Sequence, residues 1–207
     1  MNGRSLRQQM PWAFVAAGLI ATLIQCHGEW RGALLYDRTA IAHGEWWRLW
    51  TGHWVHFGWP HFVVDAGLFL ILGWLLEPVQ PALARFSLLV LPAFISLVLY
   101  SLDSHLLRYG GLSAVNLGLL LYLAGRGWQR NWTDWFWPAV LLVYAGELFL
   151  EATAGHGRGG GMIRFDDPEV QVATSAHLAG AAYALILLVW VAWRRPKRAE
   201  PGGAGQR

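Results

Sequence analysis

Ser113 follows two glycines in the run Tyr109-Gly110-Gly111-Leu112-Ser113-Ala114-Val115-Asn116-Leu117-Gly118, at the mouth of an apolar stretch. Sixty-four residues later His177 stands in Ser175-Ala176-His177-Leu178-Ala179-Gly180, which opens another. A serine hydroxyl becomes a nucleophile when a nearby base takes its proton, and imidazole is such a base. Ala114 and Gly118 share one helix face, as do Gly180 and Ala184, and small-xxx-small faces let membrane helices approach closely. Packing of those two faces would bring Ser113 and His177 within hydrogen-bond reach. Gly110 and Gly111 permit turns that other residues resist, which would turn main-chain N–H groups near Ser113 toward an oxyanion. The bland alternative is a serine bonded to its own helix backbone in an ordinary small-residue seam.

Other polar residues offer different chemistry. His53, His56 and His61 have a metal-compatible side chain, but no His-Glu-x-x-His motif or cysteine cluster accompanies them. Cys26 is the lone cysteine, so no intramolecular disulfide forms. Glu147 and Glu151 are four apart on one helix face. They read either as an interfacial pair meeting Arg158 or Arg164, or as a polar gate, since ionisable groups at membrane depth are often functional. A small transporter using Asp65, Glu147 and Glu151 as an ion path is a further possibility, and its activity would survive loss of Ser113. Asn116 bonds either a neighbouring helix or a substrate. Asp103 and His105 are expected in solvent.

The elements that position these groups are membrane helices. The chain is 55% hydrophobic and 14% charged, against about a quarter charged in soluble domains. The apolar runs are continuous rather than alternating, which favours helices over a barrel. The basic residues sit at helix ends and form no nucleic-acid stripe. Arg4 and Arg7 precede the apolar run from Met10 to His27. A signal peptide begins similarly, but no small-x-small cleavage site follows, so a first membrane helix is expected. Residues 28–58, rich in Trp and His, form a long interfacial loop. Further spans are expected at 60–76, a third flanked by Arg85 and running to Leu102, then 113–124, 136–152 and 170–193. The fourth, at about 18 Å long, is too short for a core of about 30 Å, so its start would lie below the surface. A Gly-rich loop, 155–167, precedes the last span. With six spans and both termini inside, ten Lys/Arg lie inside and six outside, in keeping with the positive-inside rule.

Taken together, Gly110-Gly111-Leu112-Ser113 and Ala176-His177-Leu178-Ala179-Gly180 with Ala184 resemble the rhomboid intramembrane serine proteases. Glu45-Trp46-Trp47-Arg48 is similar to the Trp-Arg signature of their first loop. His53, His56 and His61 are similar to the histidine-rich start of their second helix. The run from Ile41 to His56 looks most like the rhombosortases, a short bacterial branch.

The resemblance implies an all-α, six-transmembrane-helix bundle over residues 10–193, with a short fourth helix starting at the catalytic serine. A cytoplasmic segment, 1–9, would precede it and a basic, disordered tail, 194–207, would follow. The site would open to the periplasmic side of a bacterial inner membrane. Substrates would be membrane-anchored proteins with a C-terminal Gly-Gly motif, a membrane helix and a basic tail. No cofactor, metal or nucleic acid is implied. Ser113 would be the nucleophile and His177 the general base and acid. His61 and the Ser113 backbone N–H would hold the oxyanion. Gly111, Ala114, Gly118 and Gly180 would shape the site, while Arg48 and Glu45 would tie the first loop. Such a chain without activity would instead bind and escort membrane helices, although inactive relatives usually lack the serine or histidine.

Three positions depart from the family pattern. Asp65 stands where an asparagine usually helps the oxyanion, and it would donate only if protonated, or else pair with His61. Ala114 replaces a glycine, and Leu117 replaces a tyrosine that stacks on the base.

Overall fold

The computed structural model describes residues 10–154 and 173–194, and of Glu147 and Glu151 only the backbone. The expected contacts of those two glutamates, the Gly-rich loop with Arg158 and Arg164, segment 1–9 and the tail from 195 lie outside what is described. Among the described residues, six long α-helices come in chain order with three short ones between them: α1 (Trp12–Cys26), α2 (Arg31–Leu34), α3 (Arg38–Ala42), α4 (Arg48–Thr51), α5 (Trp59–Leu76), α6 (Pro81–Leu102), α7 (Ser113–Arg130), α8 (Phe136–Ala154) and α9 (Thr174–Trp193). The long ones are α1, α5, α6, α7, α8 and α9. By length and composition, α5, α6 and α9 are long and apolar enough to cross a membrane, and α1 and Phe136–Gly146 are shorter apolar helices.

Local chemistry sets the ends of these helices. Pro60 sits in the first turn of α5 and Pro81 begins α6, where a missing N–H costs nothing. α5 stops at Leu76; Glu77 keeps helical angles and its N–H still bonds the Gly73 carbonyl, and Pro78, which has no N–H to donate, follows it. The buried carboxylate of Glu77 then serves another helix. It accepts from Ala13 N–H at 3.0 Å, is anchored by Arg85 at 3.2 Å, and supplies the negative charge that a helix N-terminus favours.

Helix α7 corrects one expectation. It runs 18 residues from Ser113 to Arg130 rather than ending near Ala124. The apolar pattern does stop there, but Arg126, Gln129 and Arg130 are good helix formers, and cations favour a helix C-terminus. The helix therefore continues as a polar extension of the apolar part.

Residues 28–58 are also more ordered than a plain loop. Tyr36–Asp37 (β1) pairs antiparallel with Arg108–Tyr109 (β2), with Tyr36 opposite Tyr109 and Asp37 opposite Arg108. This short pairing ties the first loop to the segment just before Ser113. Asp37 caps α3, accepting from the Thr39 and Ala40 N–H groups at 3.0 Å each. The Arg48 guanidinium binds Glu45 at 2.7 Å and the carbonyls of Gly32 and Leu35 at 2.8 and 2.7 Å. Arg38 plays a similar part at the end of α6, donating to the carbonyls of Leu99, Tyr100 and Asp103. Each arginine adds bonds to carbonyls at a helix end or turn, and at Leu99 and Asp103 these come on top of bonds from the Asp103 and Leu106 N–H groups.

His53, in the turn after α4, is fully buried and bonds Ser96 on α6 at 3.0 Å. Desolvation pushes its imidazole down to about 4, against hydrogen bonds to the backbone of Pro92 and Gly111 that act the other way. The unfolded imidazole titrates near 6.5. A folded value below the unfolded one gives stability that is complete above pH 6.5 and lost as the pH falls toward 4. The loss is on the order of 3 kcal/mol. Thermal unfolding of the detergent-solubilised protein at pH 7.5 and 4.5 measures it. His53→Gln is expected to show a smaller pH dependence of the melting midpoint than wild type, and an unchanged dependence would exclude His53 as the cause.

Candidate active site

Ser113 is the first residue of α7, and the chain reaches it through a constrained turn. Gly111 has φ +118°, a conformation that side chains resist. A Cβ there would lie 2.9 Å from the His61 ring and 3.2 Å from Asp65 Oδ2. At Gly110 it would meet Leu35 and the Val55 carbonyl, each at 2.9 Å. The two glycines thus let the backbone press against α5 and the first loop immediately before the serine. The Tyr109 hydroxyl donates to the Gly111 carbonyl at 3.2 Å and braces the same turn.

Helix α9 brings the histidine. Gly180 lies against Ala114 and Gly118, and Gly118 has so little room that a Cβ would sit 3.0 Å from the Gly180 carbonyl. Helices α7 and α9 make the most extensive helix contact among the described residues. Along this seam His177 Nε2 comes 3.0 Å from Ser113 Oγ. Both residues are partly exposed.

The start of α9 is fastened as well. The Ser175 hydroxyl donates to Asp103 Oδ2 at 2.6 Å, and Asp103 also accepts from Leu106 N–H at 3.2 Å. Asp103 is therefore bonded to the residue two positions before His177, not merely solvated. Its partner is 72 residues away, a pairing that no local pattern announces. His105 is exposed.

Asp65 on α5 faces the serine turn. Its Oδ2 accepts from Leu112 N–H at 2.9 Å and lies 3.1 Å from His61 Nε2 and 3.4 Å from His56 Nε2. Its main-chain carbonyl accepts from the Asn116 amide at 2.9 Å. Asn116 thus bonds the neighbouring helix. Leu117 is buried beside it.

A second Ser–His pair supplies an internal comparison. His53 and Ser96 are also 3.0 Å apart, but both are buried with 0% exposure. A nucleophile needs a path for its substrate as well as a base. Ser113–His177 combines the short distance with exposure, whereas Ser96–His53 reads as a packing contact. His53 bonds Ser96, whereas His56 and His61 lie beside Asp65.

The Ser113–His177 geometry meets the requirement for general-base activation of a hydroxyl. As the first residue of a helix, Ser113 also carries an N–H with no carbonyl partner four residues earlier in the helix, and the helix N-terminus favours negative charge. The chain matches the family described as Rhomboid domain over residues 43–195. No curated protein sequence matches it.

Proposed function

The chain belongs to the rhomboid family, generally intramembrane serine proteases, and we propose that it is an intramembrane serine endopeptidase acting through Ser113 and His177. The observation that carries this reading is the 3.0 Å contact between two partly exposed side chains that start facing helices. Ser113 Oγ attacks the scissile carbonyl while His177 Nε2 takes its proton. The tetrahedral oxyanion is held by the Ser113 N–H and by His61. The carbon–nitrogen bond then breaks, His177 returns the proton to the leaving amine, and an acyl-enzyme remains. Water, activated by the same imidazole, releases the acid and restores the serine. Gly111, Ala114, Gly118 and Gly180 shape the turn and the seam that set this geometry.

The finer reading covers topology and substrate. The bundle spans the inner membrane six times, with both termini cytoplasmic and the site open to the periplasm. Its substrates are exported proteins ending in Gly-Gly, an apolar helix and a basic tail, as in the rhombosortases. The similarity of the run from Ile41 to His56 supports that assignment. The test is co-expression with an exported protein carrying such a tail. Wild type is expected to convert it to a form shortened near the glycines, and Ser113→Ala to leave it full length. Equal processing by both would overturn the assignment of Ser113. Absence of processing, with Ser113 still reactive toward a small probe, would overturn the tail specificity alone.

A further inference from the structure

Asp65 stands where a donor to the oxyanion would be expected, yet a peptide N–H and two imidazole nitrogens surround its Oδ2. Leu112 N–H is at 2.9 Å, His61 Nε2 at 3.1 Å and His56 Nε2 at 3.4 Å. The carboxylate is 4% exposed, so water does not replace these partners. Gly111, with its left-handed backbone, packs directly over the same oxygen and the His61 ring. The main-chain carbonyl of Asp65 is tied to α7 by Asn116 at 2.9 Å. One residue of α5 therefore grips α7 both before and after the serine.

An ionised carboxylate only accepts, and each of its oxygens can take several hydrogen bonds. A carboxylic acid or an amide presents a donor on one side. Either could set an N–H or O–H against the Leu112 N–H or the His61 imidazole already there. The titratable groups that face Asp65 are His56 from the first loop, His61 from its own helix and the Tyr109 hydroxyl from β2.

We propose that Asp65 is a positioning residue used as a carboxylate: it gathers the peptide N–H before Ser113 and the imidazole of His61 around one oxygen, and so presets the oxyanion site. This rests on the reading of Ser113 as nucleophile. Asp65 itself does not donate to the oxyanion. When substrate binds, the developing oxyanion competes for the His61 N–H that Asp65 holds at rest. The Leu112 N–H stays on the carboxylate and keeps the turn fixed, which leaves the Ser113 N–H directed at the reacting carbon. Organising the donors before charge develops is what makes an oxyanion site effective.

The test is the second-order rate of Ser113 labelling by a fluorophosphonate in the full-length, detergent-solubilised protein, across pH. Its variants are Asp65→Asn, His61→Ala and the double substitution. Loss of one oxyanion donor costs roughly 10²- to 10³-fold, so Asp65→Asn, which misplaces a donor, is expected to slow labelling by about tenfold to a hundredfold. Because Asp65 acts through His61, the double variant should label no more slowly than His61→Ala alone, within about twofold, whereas independent roles would multiply. An Asp65→Asn rate equal to or above wild type would overturn the proposal, as would multiplicative losses. So would a wild-type rate that falls at alkaline pH through a limb absent from Asp65→Asn, the mark of a protonated Asp65 donor. If Asp65→Asn does not fold, His56→Gln carries the test. It removes the imidazole that lies 3.4 Å from Oδ2 and should slow labelling by about threefold or more while leaving the melting midpoint nearer wild type; an unchanged rate overturns the proposal. Wild-type labelling that persists in Ser113→Ala would instead overturn the nucleophile reading, so the two failures are distinct.

Discussion

Ser113→Ala is expected to abolish covalent labelling by a fluorophosphonate, and His177→Ala to slow it by roughly 10⁴- to 10⁶-fold, the range seen when one member of a serine–histidine unit is removed. The two losses do not add. A nucleophile without its base and a base without its nucleophile are both idle, so the double variant is expected to match Ser113→Ala. The His53–Ser96 pair makes the experiment more demanding. It has the same 3.0 Å separation as His177–Ser113 but no exposure. If distance alone produced reactivity, both serines would be modified. The expected adduct, located by mass spectrometry of the labelled protein, is on Ser113 and absent from Ser96. Labelling of Ser113→Ala at the wild-type rate would sink the assignment, and an adduct on Ser96 would show that access had been misjudged.

The residues differ in how plainly the sequence announces their place. Ser113 and His177 are legible because each sits beside small residues at a four-residue spacing, and a helix places such residues on one face. The seam follows from that pattern without knowledge of the loops. Arg48 and Glu45 are legible too, being three apart and joined at 2.7 Å. The length of α7 is less so. Hydropathy marks where apolar contact ends, while helical hydrogen bonding continues through Arg130. The contacts of Glu77 with Ala13, and of Asp103 with Ser175, join residues 64 and 72 positions apart. No periodicity encodes such pairs, since they arise only once separate helices meet. Asp65 lies between these cases. Sequence poses it as either donor or partner of His61, and only the arrival of Leu112 N–H and His56 at the same oxygen favours the acceptor role.

Gly180→Val breaks the molecule at the point where fold and chemistry coincide. A Cβ at Gly180 overlaps the carbonyl oxygen of Ala114 and lies 3.4 Å from Gly118 N. These are backbone atoms of a helix, so they cannot swing aside as a flexible side chain can. The helices must separate or rotate, and either movement carries His177 away from Ser113. Overpacking a tight interior costs about 1–3 kcal/mol when side chains can yield, so the cost here should reach about 3 kcal/mol or more. The chemical loss is larger than the stability loss suggests. A misplacement of about 1 Å between reacting groups lowers rates by about 10²-fold, so labelling should fall at least that far even in molecules that remain folded. Gly118→Ala is milder, because its Cβ meets the Gly180 carbonyl at 3.0 Å and a few tenths of an ångström relieves it. Gly67→Ala on α5 is the control, since nothing lies within 4 Å of the added carbon. Thermal unfolding and fluorophosphonate labelling of the three variants should therefore rank Gly180→Val below Gly118→Ala, with Gly67→Ala at or above wild type because alanine favours helix over glycine. A Gly180→Val protein that melts and labels like wild type would mean that the α7–α9 seam does not set the Ser113–His177 distance.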